Sequence, residues 1–181
     1  PIYSHGTAMH ETVFVTLAMY FWIPVVVGMF LVLPARRAVI ASFIIAWLFL
    51  PMKSYEIQGM PDFTKVSATS YGVLLGTMIF QWRRIVQFQP RWIDLPIAIW
   101  CLVMVPSNLL NGHGLYAGLS ESLDEIVTWG FPYLIGRLYL TDEDAIKDLI
   151  VGLFLGGLAY MPLCLYEVRM SPQLHRMVYG Y

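Results

Sequence analysis

Long apolar runs alternate with short polar intervals along the chain, a pattern that predicts a string of helices. The first run, Val13 to Leu33, is long enough to cross a bilayer and is closed by Pro34, Arg36 and Arg37. The second, Ala38 to Leu50, is short; it is re-entrant on length alone, or spans 36–51 if the two arginines snorkel. Met52 to Lys65 is polar and reads as a loop broken by Gly59 and Pro61. Val66 to Trp82 predicts a third span, and Ile93 to Leu110 a fourth interrupted by Pro96 and Pro106. Asn108 to Ser122, with its glycines and serines, predicts a loop. Ile126 to Leu140 makes a fifth apolar segment carrying Pro132 and Arg137. Asp142, Glu143 and Asp144 suit a helix N-terminus and open a sixth, from Ile146 to Tyr166. The fold expected is therefore all-α: one membrane domain, a polytopic transmembrane bundle of about six spans. These lie near 13–33, 36–51, 66–82, 93–110, 126–140 and 146–166, with 167–181 beginning an outward loop.

Composition narrows the class. Of 181 residues, 58% are hydrophobic and 13% charged, with a mean hydropathy of +0.64. A soluble domain carries roughly 25% charged residues, so this chain cannot clothe a globule in solvated surface. Disorder needs the opposite balance. No basic tract suggests nucleic acid as a partner. Cys101 and Cys164 sit in apolar runs, where a thiol behaves as a small hydrophobe. His5 and His10 are five apart, whereas helical metal pairs are four apart, so neither metal nor other cofactor is expected.

The placement of the few charges predicts orientation. Arg36, Arg37, Arg83, Arg84, Arg91, Arg137 and Lys147 fall on one side, and Lys53, Lys65, Arg169 and Arg176 on the other. The richer side is taken as cytoplasmic, which turns the N-terminus and the tail from Glu167 outward. A re-entrant second segment would invert everything after it.

Within the spans, Gly72 with Gly76 and Gly152 with Gly156 are four apart, the small-residue spacing through which membrane helices pack. An intramembrane arginine marks a functional site by default. Arg137 lies so near the end of its segment that snorkelling to the cytoplasmic headgroups, near Asp142 and Asp144, is the favoured alternative. Asn108, Asn111 and His113 read as helix-capping and loop residues before sugar ligands. The tail is richer: Glu167, Arg169, Gln173, His175, Arg176, Tyr179 and Tyr181 emerge directly from a span. A guanidinium fork can grip the phosphates of a lipid pyrophosphate. Equally, arginine and tyrosine can anchor an interfacial segment.

Several stretches resemble the O-antigen ligase and polymerase-like bacterial membrane proteins. They are Leu-Pro-Ala-Arg-Arg-Ala at 33–38, Trp-Leu-Phe-Leu-Pro at 47–51, Gly-Met-Pro-Asp-Phe-Thr-Lys at 59–65 and Arg-Trp-Ile-Asp-Leu-Pro at 91–96. Trp-Gly-Phe-Pro-Tyr-Leu-Ile-Gly-Arg at 129–137 and Glu-Val-Arg-Met-Ser-Pro-Gln-Leu-His at 167–175 complete the likeness. The resemblance implies an inner-membrane glycosyltransferase of lipopolysaccharide and polysaccharide biosynthesis, independent of metal. It would take a glycan from a polyprenyl pyrophosphate carrier and pass it to a lipid-A core sugar or to another carrier-linked glycan.

The same resemblance matches Arg169 to the arginine that opens a large periplasmic loop and contacts pyrophosphate. Glu167 then orients Arg169, Arg176 is a further substrate contact, and His175 is the candidate base. It also implies that the chain is the N-terminal half of such an enzyme, with an incomplete active site and faces left open for absent spans or homo-oligomers. The competing expectation is a non-enzymatic membrane subunit or transporter that binds a lipid or protein partner.

Overall fold

Prolines and short polar breaks set where each apolar run stops being helix. In the computed structural model, which describes residues 5–52 and 61–170, every regular element is helical. Helix α1 (His5–Val32) ends before Pro34, and α2 (Ala35–Phe49) begins directly after it. A residue preceding proline is driven out of the helical region. Leu50, before Pro51, accordingly turns to ψ 143° and closes α2. Helix α3 (Lys65–Phe80) opens on a reciprocal cap: the Ser67 amide donates to Thr64 Oγ1 at 3.3 Å and the Thr64 amide donates to Ser67 Oγ at 2.7 Å. After the short α4 (Trp82–Val86), a 3-10 turn at Trp92–Asp94 leads into α5 (Leu95–Leu102). Helix α6 (Met104–Leu110) is offset from α5 at Val103, because Pro106 has no N–H for the Leu102 carbonyl. Helix α7 (Gly114–Glu125) runs through a π-helical turn at Ile126–Gly130 into α8 (Phe131–Tyr139), and α9 (Glu143–Met170) follows.

The all-α expectation stands, but the number of spans does not. Among the described residues two helical stretches, Trp92–Leu110 and Glu143–Tyr166, are long and apolar enough to cross a membrane, in place of about six. A third apolar stretch, Thr16–Val32, lies within the 28-residue α1. The reason is length. With 15 and 16 residues, α2 and α3 reach only ~22–24 Å, against a hydrocarbon core of ~30 Å. The loop expected over 108–122 is also corrected. Only the turn around Gly112 and Gly114, at φ 76° and 87°, breaks the helix there, and α7 occupies the rest. Gly118 is not a loop residue. A Cβ there would stand 2.9 Å from the Val105 Cα, so glycine lets α7 lie against α6.

The core gathers where α1, α2, α3 and α8 meet. Met19, Trp22, Val26 and Phe30 recur at helical spacing along α1 and are buried with Ala38, Val39 and Ala46 of α2, Ala68 and Val73 of α3, and Ile135, Leu138 and Tyr139 of α8. The paired glycines form the seams. A Cβ on Gly72 would sit 2.9 Å from Val26 Cβ, and one on Gly76 would sit 2.7 Å from the Phe30 ring. On α9, Gly152 and Gly156 make room for Ile40 and Ile44 of α2 in the same way. The other faces of α9 present Ile150, Phe154, Leu158, Met161 and Leu165 outward.

Replacing Gly72 by leucine forces β-branched Val26 away and should cost about 1–3 kcal/mol. Gly28 has open space around its Cβ position, so Gly28→Ala should be neutral or stabilising by about 0.5–1 kcal/mol. Unfolding in detergent, followed by circular dichroism, measures both.

Candidate functional site

Of the residues expected to act on substrate, Arg169 lies exposed in the last turn of α9. Glu167 is two residues earlier on the same helix. Its side chain, and the whole of His175 and Arg176, lie outside the described residues. None of the ion pairs among the described residues involves Arg169.

A denser polar site lies at the opposite end of α9, about 40 Å away for a helix of 28 residues. Its centre is Asp94. The 3-10 turn brings the Arg91 amide to Asp94 Oδ2 at 2.7 Å. Tyr133 and Arg137 are one helical turn apart on α8 and so share a face. Tyr133 donates its hydroxyl to Oδ1 at 2.6 Å, and Arg137 grips the carboxylate with two donors, Nε at 2.8 Å and Nη2 at 3.2 Å. The paired side chains are 21% and 14% exposed, so solvent screens them only in part. Arg137 thus turns to Asp94 and makes no ion pair with Asp142 or Asp144. Those carboxylates hold other cations: Asp142 takes Arg36 at 3.0 Å and Asp144 takes Lys147 at 3.2 Å.

Arg84 reaches the same region from α4. Its Nη1 donates to the Leu138 carbonyl at 3.0 Å while the guanidinium lies 5.0 Å from the centre of the Tyr139 ring. Tyr139 is buried and bonded to Thr77 Oγ1 at 2.9 Å, so α3 fixes the surface on which Arg84 rests. Between α4, the 87–91 segment and the end of α8 opens a cavity of about 720 Å³, lined by Arg84, Arg91 and Arg137 with Gln87, Gln89 and Thr141. Elsewhere, Lys65 lies 4.9 Å over the Trp47 ring, and partial burial lowers its pKa below the ordinary lysine value.

Asn108 is not free to bind a sugar. Its amide donates to Glu121 at 2.7 Å and to the Met104 carbonyl at 3.0 Å, locking α6 to α7. Cys101 is buried and Cys164 exposed, and both are free thiols. Among the described residues no three His, Cys, Asp or Glu side chains converge as a metal would require. Sequence reasoning missed Asp94, Arg84 and Tyr133. The available signal was the four-residue spacing of Tyr133 and Arg137, which puts a phenol and a guanidinium on one face. No protein-family model, curated protein or solved structure matches this chain.

Removing one partner of the Asp94–Arg137 pair strands the other charge, so Asp94→Asn and Arg137→Gln should each lower the unfolding midpoint. The double variant should lose less than the sum of the two. A double-mutant cycle by thermal unfolding measures the coupling, and strict additivity would show the pair to be inert.

Proposed function

We propose that this chain is the N-terminal part of a multi-pass glycosyltransferase of the bacterial inner membrane, akin to the O-antigen ligases and polymerases. It moves a glycan from a polyprenyl pyrophosphate carrier to an acceptor hydroxyl. The motifs that resemble those proteins support this reading, as do the apolar faces turned outward on α9. The observation that carries it is Arg169, an exposed guanidinium in the last turn of a 28-residue helix containing a membrane-length apolar stretch. A cation so placed meets the bilayer surface, where the phosphates of a lipid carrier lie.

The chemistry follows from charge. The acceptor oxygen attacks the anomeric carbon, the bond from that carbon to the pyrophosphate oxygen breaks, and the electron pair leaves on the carrier. Arg169 and Arg176 stabilise the negative charge that develops on the leaving group. His175 takes the acceptor's proton, whereas Glu167 stands two residues before Arg169 on α9, a spacing at which helical side chains do not face each other. Further arginines and a second candidate base come from the periplasmic loop that the resembled proteins carry. The basic residues support the orientation. Arg36, Arg37 and Lys147 gather around the start of α9 with Arg84 and Arg137 nearby, whereas Arg169 stands at its far end. That sense puts the tail from Glu167 in the periplasm. A second reading, a non-enzymatic membrane subunit or transporter, is favoured by the exposure of Arg169 without an ion pair among the described residues, as a headgroup anchor would be.

Arg169→Ala in the full-length protein should reduce glycan transfer on the order of 10²-fold while membrane insertion is unchanged. Arg169→Lys, which keeps the charge but loses the fork, should fall between the two. Transfer to the acceptor at the wild-type rate in Arg169→Ala would sink the enzyme reading.

A further inference from the structure

At the end of the molecule away from Arg169, two cavities share a wall. The first is the cavity of about 720 Å³ already described, within the ~300–1,000 Å³ range of ligand pockets. Three guanidiniums line it and no carboxylate does. Asp94, which balances Arg137, lines a separate recess behind it. Arg84 and Arg91 therefore leave the cavity with an excess of positive charge. Two of the three guanidiniums are braced without exhausting their five donors. Arg84 commits Nη1 to the Leu138 carbonyl, and Arg137 commits Nε and Nη2 to Asp94. What remains is a set of fixed, partly free forks, the arrangement that suits phosphate oxygens.

The second cavity, about 560 Å³, is a trough between α2, α8 and α9 walled by apolar side chains such as Phe43, Leu48, Ile135, Leu149 and Leu153. Gly136 and Leu140 line both cavities. Nothing lies within 4 Å of the point where a Cβ on Gly136 would stand, so at the shared wall the α8 backbone is bare. Trp82 and Trp92 are 56% and 88% exposed on the elements flanking the cationic cavity, as residues of an aromatic belt at a membrane interface are.

We propose that the two cavities form one binding site for an anionic phospholipid. Its phosphate is held by Arg84, Arg91 and Arg137, and one acyl chain lies along the trough beneath Gly136. A soluble phosphate compound would satisfy the guanidiniums but leaves the adjoining trough unexplained, whereas a phospholipid carries both chemistries on one molecule. The site is separate from Arg169 and rests on the membrane reading only in that the lipid arrives from a bilayer.

The test is lipid retention by the full chain reconstituted into nanodiscs, read by native mass spectrometry after transfer to detergent. One set of discs holds phosphatidylcholine alone and the other adds phosphatidylglycerol. Failure to enter either disc counts against the membrane reading and is distinct from failure of the lipid site. The wild type should retain phosphatidylglycerol preferentially. Arg84→Gln with Arg91→Gln should weaken that preference about tenfold or more. Arg91→Gln alone, a change at an exposed position, keeps the test valid if the double variant does not fold. Gly136→Leu fills the shared wall and should reduce retention of both lipids while helicity is kept. Unchanged lipid preference in Arg91→Gln, together with unchanged lipid retention in Gly136→Leu, overturns the proposal. So does binding of inorganic phosphate, lost in Arg91→Gln, with no preference between the two discs.

Discussion

The close approach of α3 to α1 is the constraint on which the rest of the molecule depends. Gly72 and Gly76 allow it, since a Cβ at either position would stand under 3 Å from Val26 or Phe30. At that distance α3 has to bury whatever else it carries, and what it carries is largely hydroxyls: Ser67, Thr69, Ser70 and Thr77. A hydroxyl buried without a partner is costly, and most of these avoid the cost by bonding within or across the seam. Thr69 donates to the Lys65 carbonyl at 2.7 Å and accepts from Trp22 Nε1 at 3.0 Å. Thr77 donates to the Val73 carbonyl at 2.7 Å and accepts from Tyr139. Ser70 Oγ is the buried exception, without a hydrogen-bond partner. Through Thr77 the glycine seam sets the position of Tyr139, and through Tyr139 that of Arg84. The cationic cavity is thus tied to the core by one unbroken series of contacts.

Helix α9 is held differently. Arg36 and Arg37 of α2 face Asp142 and Asp148 at 3.0–3.7 Å, but these side chains are 29–66% exposed, and pairs open to solvent contribute only about 0–1 kcal/mol. The seam of Gly152 and Gly156 on Ile40 and Ile44 brings whole side chains into contact and is the stronger attachment. The ion pairs choose the register of α9 at its start. The small residues hold it along its length.

Much of this was legible in the sequence. Apolar runs placed helices near their observed positions, and the four-residue glycine spacing predicted both seams. The errors have physical sources. Glycine carries two meanings, and composition does not separate them: Gly112 and Gly114 make a turn with positive φ, whereas Gly118 permits a helix contact. An apolar run of 15 or 16 residues specifies a helix without specifying a crossing, which is why the number of spans was overcounted. Arg137 was visible as a charge in an apolar segment. Its partner was not, because Asp94 is 43 residues away and only the packing of α8 against the 3-10 turn brings them together. The gathering of Arg84, Arg91 and Arg137 around one cavity depends on the same packing, so it too was hidden.

The two ends of α9 give the charge of Arg169 a structural cause. Glu143 and Asp144 occupy its first turn and Arg169 its last. Each sign sits where the helix dipole favours it, an effect typically worth 0.3–1 kcal/mol at exposed ends. A positive charge at this position therefore has a structural reason to exist with or without a substrate. That reason concerns charge alone, and lysine satisfies it as well as arginine does. A planar fork of donors is required only by a ligand with oxygens spaced to meet it, such as a phosphate. The proposal that Arg169 meets a phosphate therefore rests on the shape of its head group, in the same way that the proposed lipid site rests on which guanidinium donors stay free once Asp94 and the Leu138 carbonyl have taken theirs.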